Sequence, residues 1–245
     1  VLTPDAADYR RALVDLGRLH YEHATTLPGP DGSPEVDPGL ARDRIRRAIE
    51  RFDAALVRDP EADDADEIRF WLADSHRRLA DLLAGGGVTP AERERFALAR
   101  DAHLETALAG YETVIEAWRD DDPRLMDRRR RTMLRNAYMS RARATYDLER
   151  WEQAARLYDV AARRYADDHV SMQALVQIVN CWERMGEVEK ADVAHRNALL
   201  RLEQLPDAAF EGPGVLMDRE AWSEWLRNRP VGRVAAALPD EGAAP

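Results

Sequence analysis

The side chains best suited to chemistry in this sequence are one cysteine and two closely spaced histidines. Cys181 is the only cysteine, so the chain forms no internal disulfide and no multi-cysteine zinc site. A thiol becomes a nucleophile when neighbouring groups lower its pKa, and no pattern of His, Asn or Asp around Cys181 indicates such activation. His20 and His23 can share a helix face, but metal binding needs more ligands. We therefore expect Cys181 to be a core residue and both histidines to be ordinary core or surface residues.

Sequence motifs of enzymes are missing as well. No nucleophile motif, phosphate-binding loop, zinc signature or pair of catalytic carboxylates occurs. The acidic segment at residues 63–66 is most simply a linker that supplies helix caps. We expect a non-catalytic chain that carries no cofactor and no metal site.

A run of four arginines at residues 128–131 is the strongest concentration of charge. With Arg124 and Arg135 nearby, this run would receive an acidic protein segment or anionic lipid. The alternative is a structural face, because aspartates at 120–122 and 127 neutralise the run locally and four consecutive residues spread around a helix. The net charge of -10 argues against nucleic acid as a partner, since phosphate binding requires a basic surface.

Apolar residues recur at helical spacing along almost the whole chain, and the alternation of β-strands is absent. The first helix is expected to carry one apolar face, formed by Leu13, Leu16, Gly17, His20 and Tyr21. No stretch approaches the roughly 20 apolar residues that span a bilayer. The predicted helices cover about 5–25, 38–58, 64–84, 90–118, 127–148, 151–166, 169–185 and 188–205, with a short helix after Asp218.

Turn-forming and capping residues set the ends of these helices. A Pro/Gly-rich stretch at 27–34 cannot be helical. Asp37 before Pro38 predicts an N-cap followed by a proline in the first turn. The segment at 89–92, Thr-Pro-Ala-Glu, predicts a capping box.

Two segments in the C-terminal half repeat one another. Ala154 and Ala191 stand at equivalent positions of segments 142–158 and 179–195, with an offset of 37 residues. A fixed period of this size is typical of helical-hairpin repeats. Small residues are required where the two helices of a hairpin cross closely. We predict an all-α solenoid of about four hairpins with a C-terminal capping helix, an architecture that usually provides a docking surface.

The hairpin pattern resembles the tetratricopeptide repeat, whose motif runs Trp–Leu–Gly–Tyr on helix A and Ala–Phe/Tyr–Ala–Pro on helix B. The interval from the small residue of helix A to the alanine of helix B is 12 residues in the last two units, as in the family. The first two units carry insertions. Residues that match helix B are Ala48, Phe52, Ala55 and Pro60 in unit one, Ala107, Tyr111 and Ile115 in unit two, Ala154, Tyr158 and Ala161 in unit three, and Ala191, His195 and Ala198 in unit four.

The resemblance sets the expected domain organisation. We expect one repeat array over 1–206, a linker and capping helix over 207–230 and a disordered tail over 231–245. Trp222, Trp225 and Leu226 share one face of the last helix. This helix would either cap the last hairpin or lie in the groove as an internal pseudo-ligand. The four units are expected at about 6–60, 64–123, 127–168 and 169–206.

The resemblance also implies a concave groove, lined by helix A of each unit, in which extended peptides bind. Asn180 stands where peptide-binding members use Asn, whose amide donates and accepts hydrogen bonds at once. Arg143 would supply a charge-assisted partner. The alternative is a solvated polar helix face, and the lysine-rich pattern of carboxylate-clamp members is absent. The implied groove residues are Asn136, Met139, Arg143, Tyr146 and Asp147 in unit three and Gln173, Val176, Gln177, Asn180 and Arg184 in unit four.

A family of this kind implies a non-catalytic scaffold that binds a protein or peptide segment. Similar arrays occur in bacterial envelope assembly lipoproteins, in cell-division coordinators and in longer multi-repeat proteins. The alternatives are a structural or oligomerisation segment and a regulatory module of a longer, enzyme-bearing chain. Because the sequence begins with Val1 rather than Met, we expect an excised or processed piece of a longer protein. The resemblance implies a bacterial source. The compartment stays open between the cytoplasm and the periplasmic envelope.

Overall fold

The chain is all-α in a computed structural model that describes residues 7–26, 37–87, 89–122, 125–211, 215 and 217–229. No strand occurs in these ranges. Consecutive helices pack as hairpins, which confirms the predicted fold class. The helices are α1 (Ala7–Thr26), α2 (Pro38–Arg58), α3 (Ala65–Leu83), α4 (Pro90–Trp118), α5 (Arg128–Asp147), α6 (Trp151–Arg164), α7 (Val170–Arg184), α8 (Val188–Gln204) and α9 (Arg219–Asn228), with a 3-10 turn at Asp207–Phe210 before α9.

The predicted capping residues do begin their helices. The Asp37 carboxylate accepts a hydrogen bond from the Leu40 N–H at 2.8 Å, with Pro38 in the first turn of α2. At α4, Thr89 and Glu92 form both halves of the capping box. These bonds satisfy backbone N–H groups that the first helical turn leaves without a partner. The Pro/Gly-rich stretch at 27–34 and the tail at 231–245 lie outside the described residues.

The chain divides into two compact units, and the boundary falls between Ala144 and Thr145 within α5. The first unit holds α1 to α4 and the first part of α5. Within it, α1 packs on α2, α2 on α3 and α3 on α4. Its apolar core draws on the first three helices, and buried members include Leu13, Tyr21, Ile45, Phe52, Ile68 and Leu79.

Small residues mark the helix crossings of the first unit, as the hairpin pattern predicts. A Cβ atom added at Gly17 would lie 2.6 Å from Cε1 of Phe52, and one at Gly110 would lie 2.8 Å from Cβ of Ala73. Real Cβ atoms do not approach so closely, so α1 and α2, like α3 and α4, cross at a separation that only glycine allows.

The prediction that Leu16 of α1 lies on the buried face is wrong. Leu16 is 44% exposed, whereas Leu13, Val14 and Tyr21 face the core. With about 100° of rotation per residue, Val14 moves the centre of the buried face away from Leu16. The sequence pattern placed Leu16 on the buried face and did not include Val14 in it.

The second unit holds the end of α5 and all later described elements. Within it, α6 packs on α7, α7 on α8 and α8 on α9. Ala154 and Ala191, the pair that defines the 37-residue period, are both completely buried. Their position fits the requirement for a small side chain where two helices approach.

The same period appears in the backbone of the two hairpin turns. Glu149 (φ 61°) and Gly186 (φ 73°) adopt the left-handed conformation and stand 37 residues apart. Each turn is a Schellman motif, in which two N–H groups bond carbonyls of the last helical turn. These bonds run from Glu149 to Tyr146, from Arg150 to Thr145, from Gly186 to Glu183 and from Glu187 to Trp182.

Helix α9 packs against α7 and α8 of the last hairpin. Asp218 provides its N-cap. Trp222 and Leu226 of α9 are fully buried. They pack in one apolar cluster with Met172 and Val176 of α7 and with residues of α8. The Arg219 guanidinium donates to the carbonyls of Leu202 and Leu205, which closes the C-terminal end of α8. The expected linker is partly structured, since residues Asp207–Phe210 form the 3-10 turn.

None of the described helices is long and apolar enough to cross a membrane.

Candidate functional site

Helix α7 carries a polar row of four side chains on one face: Gln173, Gln177, Asn180 and Arg184. Their spacing of four, three and four residues places them one above the other along the helix. The rest of α7 is mostly buried and apolar. Burial decreases along the row, from Gln173, which is 3% exposed, to Arg184, which is exposed. This α7 row contains every groove residue predicted in unit four except Val176, which is buried in the core.

Hydrogen bonds connect the α7 row internally and to α5. The Asn180 Nδ2 donates to Gln177 Oε1 at 2.9 Å. The Arg184 Nε donates to the Tyr146 hydroxyl at 3.1 Å, so the structure brings these two predicted groove residues together. Among the described residues, no donor reaches Gln173 Oε1. The unused acceptor of the α7 row is therefore a buried one.

Three of the four remaining predicted groove residues belong to the first unit. Asn136 is exposed and Met139 and Arg143 are half-buried, all on the part of α5 that precedes Ala144. The fourth, Asp147, is half-buried at the end of α5 in the second unit. The site that the structure defines lies in the second unit and consists of the α7 row with Tyr146.

A residue that the sequence reasoning missed completes this site. Arg229, directly after α9, donates from Nη2 to Asn180 Oδ1 and to Glu183 Oε2, both at 2.6 Å. The guanidinium also lies over the Trp225 ring, 5.0 Å from its centroid. The tryptophan spacing on α9 predicted a packed helix, but no local signal connects Arg229 with a side chain 49 residues earlier.

The first unit contains a second concentration of polar groups, around Asp74 of α3, that the sequence did not indicate. Its buried carboxylate accepts hydrogen bonds from the hydroxyl groups of Tyr21 and Tyr111, the latter at 2.8 Å. Arg77 and Arg78 also donate to it, at 3.2 and 3.1 Å. The network joins α1, α3 and α4, and only the residues of α3 lie close to one another in sequence.

The pKa values of the ionisable groups in this network are shifted from their ordinary values. Burial raises the pKa of Asp74, but the guanidinium groups of Arg77 and Arg78 and the two hydroxyl donors outweigh it and hold that pKa well below its ordinary value. Burial and the neighbouring carboxylate raise the pKa of Tyr21 and Tyr111. The carboxylate therefore stays ionised and the phenols stay neutral, which suits a structural network rather than proton transfer at neutral pH.

A histidine pair connects α3 with α4. The Nδ1 atoms of His76 and His103 are 2.9 Å apart, so one donates and the other accepts. Burial first, and the second imidazole next, lower the pKa of His76 to about 4. In the described part of the chain, no group of three or more His, Cys, Asp or Glu side chains is placed to hold a metal ion.

The other residues singled out in the sequence have structural surroundings. Cys181 is buried, and burial raises the pKa of its thiol to about 12, so little reactive thiolate forms. The arginine run is divided between partners: Arg129 forms an ion pair with Glu67 at 3.2 Å, and Arg130 lies over the Trp118 ring. Arg124 lies outside the described residues.

Comparison with known proteins adds no relative. No protein-family model matches the chain, and a search of curated proteins finds no significant match. The α7 row and its contact with Arg229 therefore carry the functional interpretation.

Proposed function

We propose that this chain is a non-catalytic interaction module, built from tetratricopeptide-like hairpins, that binds a protein or peptide segment along the α7 row. The observation that carries the proposal is that the Asn180 amide oxygen accepts a hydrogen bond from the side chain of Arg229, the residue that follows α9. A side-chain amide can accept from one segment while it donates to another, as Asn180 does toward Gln177.

Two further features support this function. Extended peptides need both donors and acceptors at regular intervals, and the half-buried carboxamides of Gln177 and Asn180 carry both along one helix face. The repetition of Ala154 and Glu149 by Ala191 and Gly186 after 37 residues also favours a tandem hairpin repeat, the architecture in which such faces serve as docking surfaces.

Selection from a random 12-residue phage-displayed peptide library tests this function. We expect peptides selected on the unmodified chain to lose at least ten-fold in affinity for a Gln177→Ala/Asn180→Ala double variant. Affinity for the control variant Asp192→Ala/Arg196→Ala, which removes an exposed ion pair of α8, should stay within two-fold. Selected peptides that bind both variants equally would move the binding site away from α7.

The oligomerisation alternative makes a different prediction. Light scattering would then show a stable self-associated form, and no peptide would be enriched on it.

A further inference from the structure

The contact between Arg229 and α7 has the composition of a binding site for a guanidinium group. The site consists of the Glu183 carboxylate, the Asn180 amide oxygen and the face of the Trp225 ring, and we call these three residues the arginine site. The Glu183 side chain is 2% exposed and that of Arg229 is 6% exposed. Both oxygens lie 2.6 Å from the same nitrogen of the guanidinium.

The chemistry of this site favours arginine over lysine. A planar guanidinium can stack on an indole ring and donate in its own plane to two acceptors at once. An ammonium group is compact and strongly hydrated, and it would give up more hydration on entering a site as closed as this one. A cation beside a buried carboxylate offsets part of the cost of burying its charge.

Arg229 uses the site incompletely. Only its Nη2 donates, while Nε and Nη1 are buried and no acceptor for them exists among the described residues. Its backbone is fixed because Arg229 is the C-cap of α9, with its N–H on the Leu226 carbonyl at 3.3 Å. The attachment to α9 therefore limits how well this arginine can orient in the site.

We propose that the arginine site recognises an arginine side chain of a partner polypeptide, and that Arg229 is an internal competitor for it. The site adjoins the α7 row through Asn180, so a partner that follows the row would place its arginine where Arg229 lies. The excess of acidic residues, with a net charge of -10, fits a basic partner segment. The involvement of a partner rests on the proposed function; the guanidinium specificity of the site does not.

Chemical rescue tests the specificity directly. The Arg229→Ala variant should bind N-acetyl-argininamide saturably, with a rise in melting temperature, whereas the unmodified chain should show neither effect. N-acetyl-lysinamide at the same ionic strength should bind at least ten-fold more weakly. Adding Glu183→Gln to Arg229→Ala should abolish the binding. Equal effects of the two amides, or no saturable binding by folded Arg229→Ala, would overturn the proposal.

A second variant covers the case in which Arg229→Ala does not fold. Arg229→Lys keeps a positive charge beside Glu183 and removes only the planar group. This variant should bind N-acetyl-argininamide more tightly than the unmodified chain does. Unchanged affinity in the folded Arg229→Lys variant would also contradict the proposal.

Peptide selection then separates this inference from the proposed function. Libraries selected on Arg229→Ala should be enriched in arginine over lysine relative to those selected on the unmodified chain. If the selected peptides depend on the α7 row but are not enriched in arginine, the arginine site is not a site for the partner. The proposed interaction function would then still stand. Rescue by the arginine amide without any row-dependent peptide would overturn the interaction function and leave a guanidinium-binding site.

Discussion

Asp74 shows at the scale of one residue how the first unit is held together. Its carboxylate accepts hydrogen bonds from Tyr21, Arg77, Arg78 and Tyr111, and it is buried. The four donors come from three helices, so this one side chain connects most of the unit. Removing it would leave two arginine side chains near one another without their shared anion.

We predict that Asp74→Ala destabilises the chain strongly, by about 3–5 kcal/mol, because it removes the anion of a buried ion pair and an acceptor shared by two buried tyrosine hydroxyls. Arg77 keeps its other ion pair, with Asp81 at 2.9 Å. Urea denaturation followed by far-ultraviolet circular dichroism measures this change. The control is Asp43→Ala, which removes an exposed Asp–Arg pair of the same i, i+3 spacing and should cost at most about 1 kcal/mol. Equal losses in the two variants would show that the network around Asp74 is not a connecting element.

His76 predicts a dependence of stability on pH. Its pKa is about 4 in the folded chain against an ordinary value of 6.5, so between these values the unfolded chain binds more protons. The free energy of unfolding therefore falls as the pH falls from about 6.5 to about 4. Asp74 contributes to stability in a lower pH range. Its pKa is lowered from 3.8, so its contribution to the free energy of unfolding is lost only below that pH.

Denaturation curves at several pH values test this prediction. The variant His76→Gln should show a smaller change in the free energy of unfolding between pH 6.5 and 4. Gln153→Ala on the exposed face of α6 serves as the control, because it removes no titratable group, and it should keep the slope of the unmodified chain. If the free energy of unfolding of His76→Gln changes with pH as much as that of the unmodified chain, other groups cause the pH dependence.

At the scale of helices, the second unit depends on close helix crossings. Ala154 is completely buried on α6, where a larger side chain would force neighbouring helices apart. We predict that Ala154→Leu destabilises the chain by about 1–3 kcal/mol. Thermal unfolding measures the effect, with Gln153→Leu at the adjacent exposed position as the control. An unchanged melting temperature in Ala154→Leu would mean that this position is not a helix crossing.

The two Schellman turns make a matched pair of predictions. Gly186→Ala should destabilise by about 1 kcal/mol, because its left-handed backbone is unfavourable for any side chain and no neighbouring atom adds a clash. Glu149→Gly should have the opposite sign and stabilise by a fraction of that amount, since Glu149 already adopts the left-handed conformation. If both variants change stability in the same direction, the two turns are not energetically equivalent.

At the scale of the whole molecule, α9 should be required for the second unit but not for the first. Truncation after Pro206 would expose Met172, Val176 and Leu202, which now pack against Trp222 and Leu226. We expect a lower melting temperature or self-association of the truncated chain. Hydrogen exchange should show lost protection in α7 and α8 and unchanged protection in α1 and α2. A monomeric truncated chain with unchanged melting would contradict the capping role.

The helices could be predicted from sequence because their ends depend on local signals. Asp37 with Pro38, the capping box at Thr89 and the turn at Gly186 act within a few residues, and the structure places helix ends there. Leu16 was assigned wrongly because two overlapping apolar faces are possible on α1, and only packing against α2 selects between them.

The polar contacts could not be predicted, because their partners are distant in sequence. Tyr21 and Tyr111 approach Asp74 from 53 and 37 residues away. The residues of the α7 row were predicted from the resemblance to the tetratricopeptide repeat, but Arg229, which contacts the row, comes from a segment without a repeat partner. Polar side chains on a helix face look alike in sequence whether they meet solvent or another segment.

The position of Arg229 in the same polypeptide as its acceptors also determines the response to dilution. A tethered ligand has an effective concentration on the order of millimolar, whatever the concentration of the protein. Dilution therefore does not empty the arginine site. An external segment must compete with Arg229 at that internal concentration. Its measured affinity would therefore be weaker than its intrinsic affinity, in proportion to the fraction of molecules in which Arg229 has left the site.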